Sequence, residues 1–152
     1  MTTRTTDAPS DVHGVAAERL HADGQRYTPR RRALVELLLE LEQPATIPQL
    51  LERRRDLAQS SVYRNLAVLE RAGVVHRIVT TDEFARYELA EDLTEHHHHL
   101  ICDHCGDVSD FTVPAALEQD LATALARVAR RTGFQVSDHR LDLVGTCARC
   151  TG

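Results

Sequence analysis

All four cysteines of this 152-residue chain fall in two Cys-x-x-Cys pairs, Cys102/Cys105 and Cys147/Cys150, and a run of four histidines, His96 to His99, stands just ahead of the first pair. Two residues between paired cysteines let both sulfurs of one turn face a single ion at roughly 2.3 Å, and two such turns complete the tetrahedral shell of a structural Zn(2+). A disulfide framework is the competing use of four cysteines. It belongs to oxidising compartments, and with no signal peptide at the Met1 end and no apolar run of membrane-spanning length the chain is expected in the cytoplasm. A redox Cys-x-x-Cys would follow a strand and open a helix, which neither pair does.

The histidine run offers a second chemistry. If His96 to Leu100 is extended, His97 and His99 face one side and His96 and His98 the other, so one run can feed two sites. A solvated polar loop is the alternative reading of such a tract. A catalytic zinc site would keep an open position with a general base nearby, and no His-Glu-x-x-His pattern occurs, so an enzyme is not expected.

Elements that could position these residues are legible on both sides. The 42% hydrophobic and 27% charged composition describes a globular chain of one ordinary or two small domains. The net charge of -5 speaks against a nucleic-acid partner, but its distribution does not: Met1 to Gly73 holds 11 Arg against 10 acids, and Val74 to Gly152 holds 7 against 13. Thr28-Pro29 starts a helix that buries Leu34, Leu37, Leu38 and Leu41. Thr46 to Pro48 starts a second, buried through Ile47, Leu50 and Leu51. A third begins at Ser60 or Ser61, buries Val62, Leu66 and Leu69, and stops at Gly73. Three short helices with tight connections frame a helix-turn-helix, which sets Ser60, Ser61, Tyr63 and Arg64 at a major groove. A plain helical domain with a solvated basic face fits the same pattern. Two runs of period two, Val74 to Val79 and Phe84 to Leu89, then suggest a wing.

Beyond His99 the pattern predicts a short strand at Leu100-Ile101 and another around Val108 to Phe111. A helix follows from Pro114 to about Arg131, burying Leu117, Leu121, Ala124, Leu125 and Val128, and a last strand carries Phe134, Val136, His139, Leu141 and Leu143. So little material closes its own core poorly, and a homodimer is expected. The fold class is α+β: a polar, disordered 1–14, a winged helix-turn-helix domain over 15–90, and a small α/β dimerisation domain with a structural zinc over 91–152.

The run Ser61-Val62-Tyr63-Arg64-Asn65-Leu66, Gly73-Val74-Val75, Arg86-Tyr87-Glu88-Leu89, His96 to Gly106, and His139 to Cys147 together resemble the ferric uptake regulator family, over nearly the whole chain from about Val15. The resemblance implies a dimeric transcription regulator, usually a repressor, that binds a palindromic double-stranded DNA operator when a divalent metal is loaded. It implies neither a membrane nor a small-molecule substrate. A metal buffer or chaperone without specific DNA binding is the alternative.

Residue by residue, the resemblance implies a sensing site at His97 and His99. Relatives add a histidine ahead of the second helix or a cysteine after the Tyr87 strand. Gln43, Pro44 and Ala45 supply no imidazole here, and Leu89 and Ala90 no thiol. His76 and Glu88 match ligands in other members and complete an N3O set, with Asp110 a further donor. Zn(2+) and Fe(2+) both suit such a set, and Mn(2+) or Ni(2+) is possible. A second regulatory site is implied at His96, His98, His139 and Glu118, with Asp120 the alternative acid. Arg26 matches a minor-groove residue, and Arg31, Tyr63 and Arg64 match phosphate and base contacts.

Overall fold

The computed structural model describes residues 11–152. The first ten residues of the segment expected to be disordered therefore lie outside the described residues, but its end does not: helix α1 runs Val12–Ala22, capped by the Asp11 carboxylate, which accepts from Gly14 N. α1 buries Ala16 and Leu20 in the first core. Val12 and Val15 pack beside them at helical spacing, but the stripe is short and made largely of small residues, and the first helix expected from sequence starts only at Thr28.

Three further helices close that core. In α2 (Pro29–Leu41) the Thr28 hydroxyl accepts from Arg31 N and Pro29 opens the first turn. α3 (Ile47–Arg53) starts on a reciprocal capping box between Thr46 and Gln49. α4 (Gln59–Arg71) starts a residue or two before either expected serine, and its cap, Ala58, offers no side-chain acceptor. Leu34, Val35, Leu50, Val62, Leu66 and Leu69 form the interior of this bundle.

A three-stranded antiparallel sheet of order β1-β3-β2 covers one side: β1 Ala45–Thr46, β2 Val75–Ile78 and β3 Arg86–Leu89. The β2–β3 hairpin is the wing, and four short helices with this ladder make a winged helix. A 3-10 turn at Glu91–Leu93 follows, with Leu93 in the same core. The N-terminal body thus extends slightly past residue 90, the boundary expected from sequence.

The second sheet has order β5-β4-β6, with β4 His98–Cys102, β5 Val108–Phe111 and β6 Asp142–Gly145. β4 and β5 run antiparallel, while β4 and β6 run parallel through the crossover helix α5, Ala115–Thr132. Two expectations are corrected. The last strand covers only 142–145; residues 134–141 are irregular after Gly133 ends α5 at φ 71°, so His139 approaches from a loop. And α5 fully buries none of its side chains within the chain: Leu117 and Val128 are about half exposed, as is Leu143 on β6, and Val144 beside it is more so. The apolar stripe exists, but a single copy has nothing to cover it.

Candidate metal centres and nucleic-acid face

Cys102 ends β4, Cys147 follows β6, and the parallel β4–β6 pairing brings both turns to one corner. The four sulfurs lie within 4.8 Å of one another, and Cys105 Sγ is 3.8 Å from Cys147 Sγ. Tetrahedral coordination with sulfurs at roughly 2.3 Å from zinc spaces them about 3.8 Å apart, so the cage already has the right size. No disulfide links them. Backbone N–H groups of Cys105 and Cys147 point at Cys102 Sγ and bring its thiol down to about 6, which favours the thiolate a metal needs. Gly106 closes the first turn at φ 73°, a conformation that favours glycine.

The histidines divide between two sides, His98 and His99 by the alternation of β4 and His96 and His97 in the segment just ahead of it. On one side His97, His99, Glu88 and Asp110 place one donor atom each within 4.8 Å of the others. Glu88, buried on β3, accepts from His97 Nε2 at 3.0 Å, and its other oxygen stands 3.0 Å from His99 Nε2. Asp110, the register partner of His99 on β5, has its oxygens 3.9 Å from both of these Nε2 atoms. The far edge of each ring is held: His97 Nδ1 donates to the Glu95 carbonyl at 2.8 Å, and His99 Nδ1 to Asp142 at 3.3 Å. That arrangement fixes the rings and leaves Nε2 toward the centre, as outer partners of metal-binding histidines do. Donors 3.0 to 3.9 Å apart match the edges expected for N and O ligands about 2.1 Å from an ion, whether tetrahedral or octahedral.

Charge in this cluster is strongly perturbed. The hydrogen bond to Glu88 lifts His97 from 6.5 to about 9. Burial pushes the Glu88 carboxyl up, but the hydrogen bonds from His97 and His99 outweigh it and bring it down to about 2. Burial raises the Asp110 carboxyl. Desolvation works against the charged His99, and the Glu88 hydrogen bond overrides it, so its pKa rises.

His76 is not among the converging donors. It is the register partner of Glu88 and lines the same crevice, but its side chain is exposed on β2 and the fourth corner is taken by Asp110. The β4–β5 register puts Asp110 there, so the residue expected as a further donor takes the place expected for His76.

On the other side, His96, His98, Glu118 and His139 converge within 4.8 Å. Glu118, in the first turn of α5, lies against His98 Nε2, 3.2 Å from His96 Nε2 and 3.6 Å from His139 Nε2. The hydrogen bond from His98 lowers its carboxyl. Asp120, the alternative acid, is exposed and outside the set. His139 Nε2 is buried with no hydrogen-bond partner, an orphan that an ion at this position would satisfy.

The expected DNA face is divided. Arg26, Ser60, Tyr63 and Arg64 are exposed, Tyr63 at 52%. Arg31, half-buried, is engaged by its neighbours: its Nη1 donates to Arg26 O at 2.6 Å, its Nη2 to Gln25 Oε1 at 3.2 Å and its Nε to Asn65 Oδ1 at 3.1 Å. Asn65 in turn donates to Ser61 O at 2.9 Å. Arg31 thereby braces the loop of Arg26 against α4. Among the described residues no helix is long and apolar enough to cross a membrane.

Comparison with known proteins agrees with this architecture. The ferric uptake regulator family model matches residues 22–144. The ferric uptake regulation protein of Bacillus subtilis strain 168 is 33% identical over 142 residues, covering 89% of this chain and 91% of its own. The peroxide operon regulator of the same organism is 31% identical over 140 residues, covering 90% and 91%. The solved structure of the Helicobacter pylori ferric uptake regulator, which is described as having three functional metal-binding sites, superposes with a TM-score of 0.69 at 23% identity over 93% of this chain and 94% of that one. With a family model spanning both bodies and relatives of this identity along nearly their whole length, the chain belongs to the ferric uptake regulator family.

Proposed function

We propose that the protein is a homodimeric, metal-dependent repressor of metal homeostasis in the cytoplasm, which binds a palindromic operator when a divalent ion fills the Glu88, His97, His99 and Asp110 set. The observation that carries this reading is the origin of those donors. Glu88 belongs to β3 of the winged helix, whereas His99 and Asp110 belong to the second sheet and His97 to the segment that leads into it. A divalent ion would supply the positive charge that gathers two carboxylates and two imidazoles. Without it, protons on His97 and His99 do that work through their bonds to Glu88. An ion that displaces those protons selects one orientation of the two bodies, and two recognition helices then meet successive major grooves.

For DNA, α4 is the reading element. Tyr63 and Arg64 project outside its Val62, Leu66 and Leu69 stripe, and the free N–H groups beyond Ala58 favour a phosphate. Arg26 adds a cation beside it. The exposed stripe of α5 fits a second copy of this chain across a two-fold axis.

The sensed ion is weighed by its donors. Exchange of His76 for Asp110 turns an N3O set into N2O2 with no thiolate, and such harder donors favour iron(II) or manganese(II) over zinc. The cysteine cage takes the structural zinc, and the His96 set a further divalent ion. The test is DNA binding by protein that retains its cysteine zinc and is titrated separately with zinc, iron(II), manganese and nickel. Binding switched on by one or more of these ions is expected; metal-independent binding overturns the reading.

A further inference from the structure

The 3-10 turn at Glu91–Leu93 is fastened to the N-terminal body on several sides. Leu93 is 1% exposed in that core, and Ala90 N donates to Val74 O at 2.9 Å. Arg19 on α1 donates to Gly73 O at 2.6 Å and to Asp92 Oδ1 at 3.2 Å. Glu91 lies in the same turn, but it lines the crevice with His98 and His139. Its Oε1 is buried, has no hydrogen-bond partner of acceptable geometry, and stands against His96 Nδ1. The opposite ring nitrogen, His96 Nε2, faces Glu118 at 3.2 Å.

We propose that Glu91 is the positioning carboxylate of His96 and, through it, the mechanical link between the His96, His98, Glu118 and His139 site and the DNA-binding body. This rests on the reading of that set as a metal site. An imidazole held at Nδ1 by an outer carboxylate presents Nε2 to an ion in a fixed direction. His99 has the same arrangement, with Asp142 on Nδ1 and Glu88 on Nε2. What differs is where the outer partner comes from. Asp142 belongs to β6, in the same sheet as His99, whereas Glu91 belongs to the turn that ends the N-terminal body. The end of the N-terminal body therefore carries two carboxylates three residues apart, Glu88 on β3 and Glu91 in the turn after it, and each grips one face of the histidine run. Both His-rich sites then span the hinge, so an ion bound beside α5 also fixes the turn below the wing.

The test uses full-length protein with its cysteine zinc retained and His97→Ala in the background to remove the first site. It is titrated with Co(2+) and read by visible absorption. Glu91→Ala is expected to weaken Co(2+) binding about 10- to 100-fold, the usual cost of losing an outer partner, and Glu91→Gln to weaken it less, because the amide oxygen still accepts from Nδ1–H. A second readout is amide exchange at Leu93 and Thr94, whose N–H groups bond to Ala90 O and Glu91 O at 2.8 and 3.1 Å. Co(2+) should slow both with Glu91 present and neither in Glu91→Ala. Unchanged Co(2+) affinity in both Glu91 variants, with binding abolished by His96→Ala, would overturn the role of Glu91 and leave the site standing. Retention of Co(2+) by both His96→Ala and His98→Ala would overturn the site itself.

Discussion

At the scale of single residues, the Glu88–His97 pair makes the first site a competition between protons and metal. His97 is lifted to about 9 by its bond to Glu88, so at neutral pH the metal-free ring is protonated and an ion must displace that proton. Apparent metal affinity should therefore rise from pH 6 to about 9 and level off above it, with proton release measurable by calorimetry in buffers of different ionisation heat. Stability of the metal-free protein runs the other way. A raised His97 pKa contributes stability that is full below 6.5 and lost as pH climbs through about 9, while the depressed Glu88 contributes above 4.5 and loses it as pH falls through about 2. The pair is fully effective only between 4.5 and 6.5. The fourth donor is open to a direct contrast. Asp110→Ala should weaken the regulatory ion at least tenfold and leave the cysteine zinc in place, whereas His76→Ala should change affinity less than threefold, both by competition with a chelator of known affinity. The reverse order would return His76 to the shell.

At the scale of elements, α4 separates stability from recognition. Leu69→Ala removes a fully buried side chain and should cost about 2–5 kcal/mol in denaturant unfolding. Arg64→Ala and Tyr63→Ala should stay within about 0.5 kcal/mol of the parent protein, because both side chains are exposed, yet lose operator binding. Arg31→Ala should do both, since its guanidinium bonds to Arg26, Gln25 and Asn65. Elements with strong local signals were legible in the sequence: the Thr28-Pro29 and Thr46 starts, the leucine stripes and the paired cysteine turns. So was the alternation of the histidine run, because strand geometry alone separates odd from even positions. Features set by tertiary context were not. The His139 segment forms no strand of its own, Asp142 and Glu91 reach the histidines only through the β4–β6 register and the placement of a 3-10 turn, and Asp110, named from sequence as a further donor, is brought to the fourth corner by the β4–β5 register. The bonds of Arg31 to Arg26, Gln25 and Asn65 also depend on tertiary context and leave two of its five N–H donors for a phosphate.

At the scale of the whole molecule, the C-terminal body carries an apolar face that one chain leaves open, with Leu117 at 53%, Val128 at 47% and Val144 at 65% exposure. Patches of that kind on a small domain mark an interface. Leu117→Asp combined with Val128→Asp should yield monomers in analytical ultracentrifugation and weaken operator binding, while the regulatory ion still binds, since its donors all lie within one chain. A monomeric parent protein would remove the interface. Ion, hinge and DNA are then parts of one equilibrium, and linkage requires the couplings to be reciprocal. The decisive quantity is the dissociation constant of the regulatory ion with and without saturating duplex, the duplex having been selected from a random pool on the metal-loaded protein. The expected result is an ion bound about 5- to 150-fold more tightly in the presence of DNA, with the same factor by which the ion tightens DNA binding, and no such factor in Glu88→Ala. Equal ion affinity with and without DNA would contradict a metal switch across the hinge.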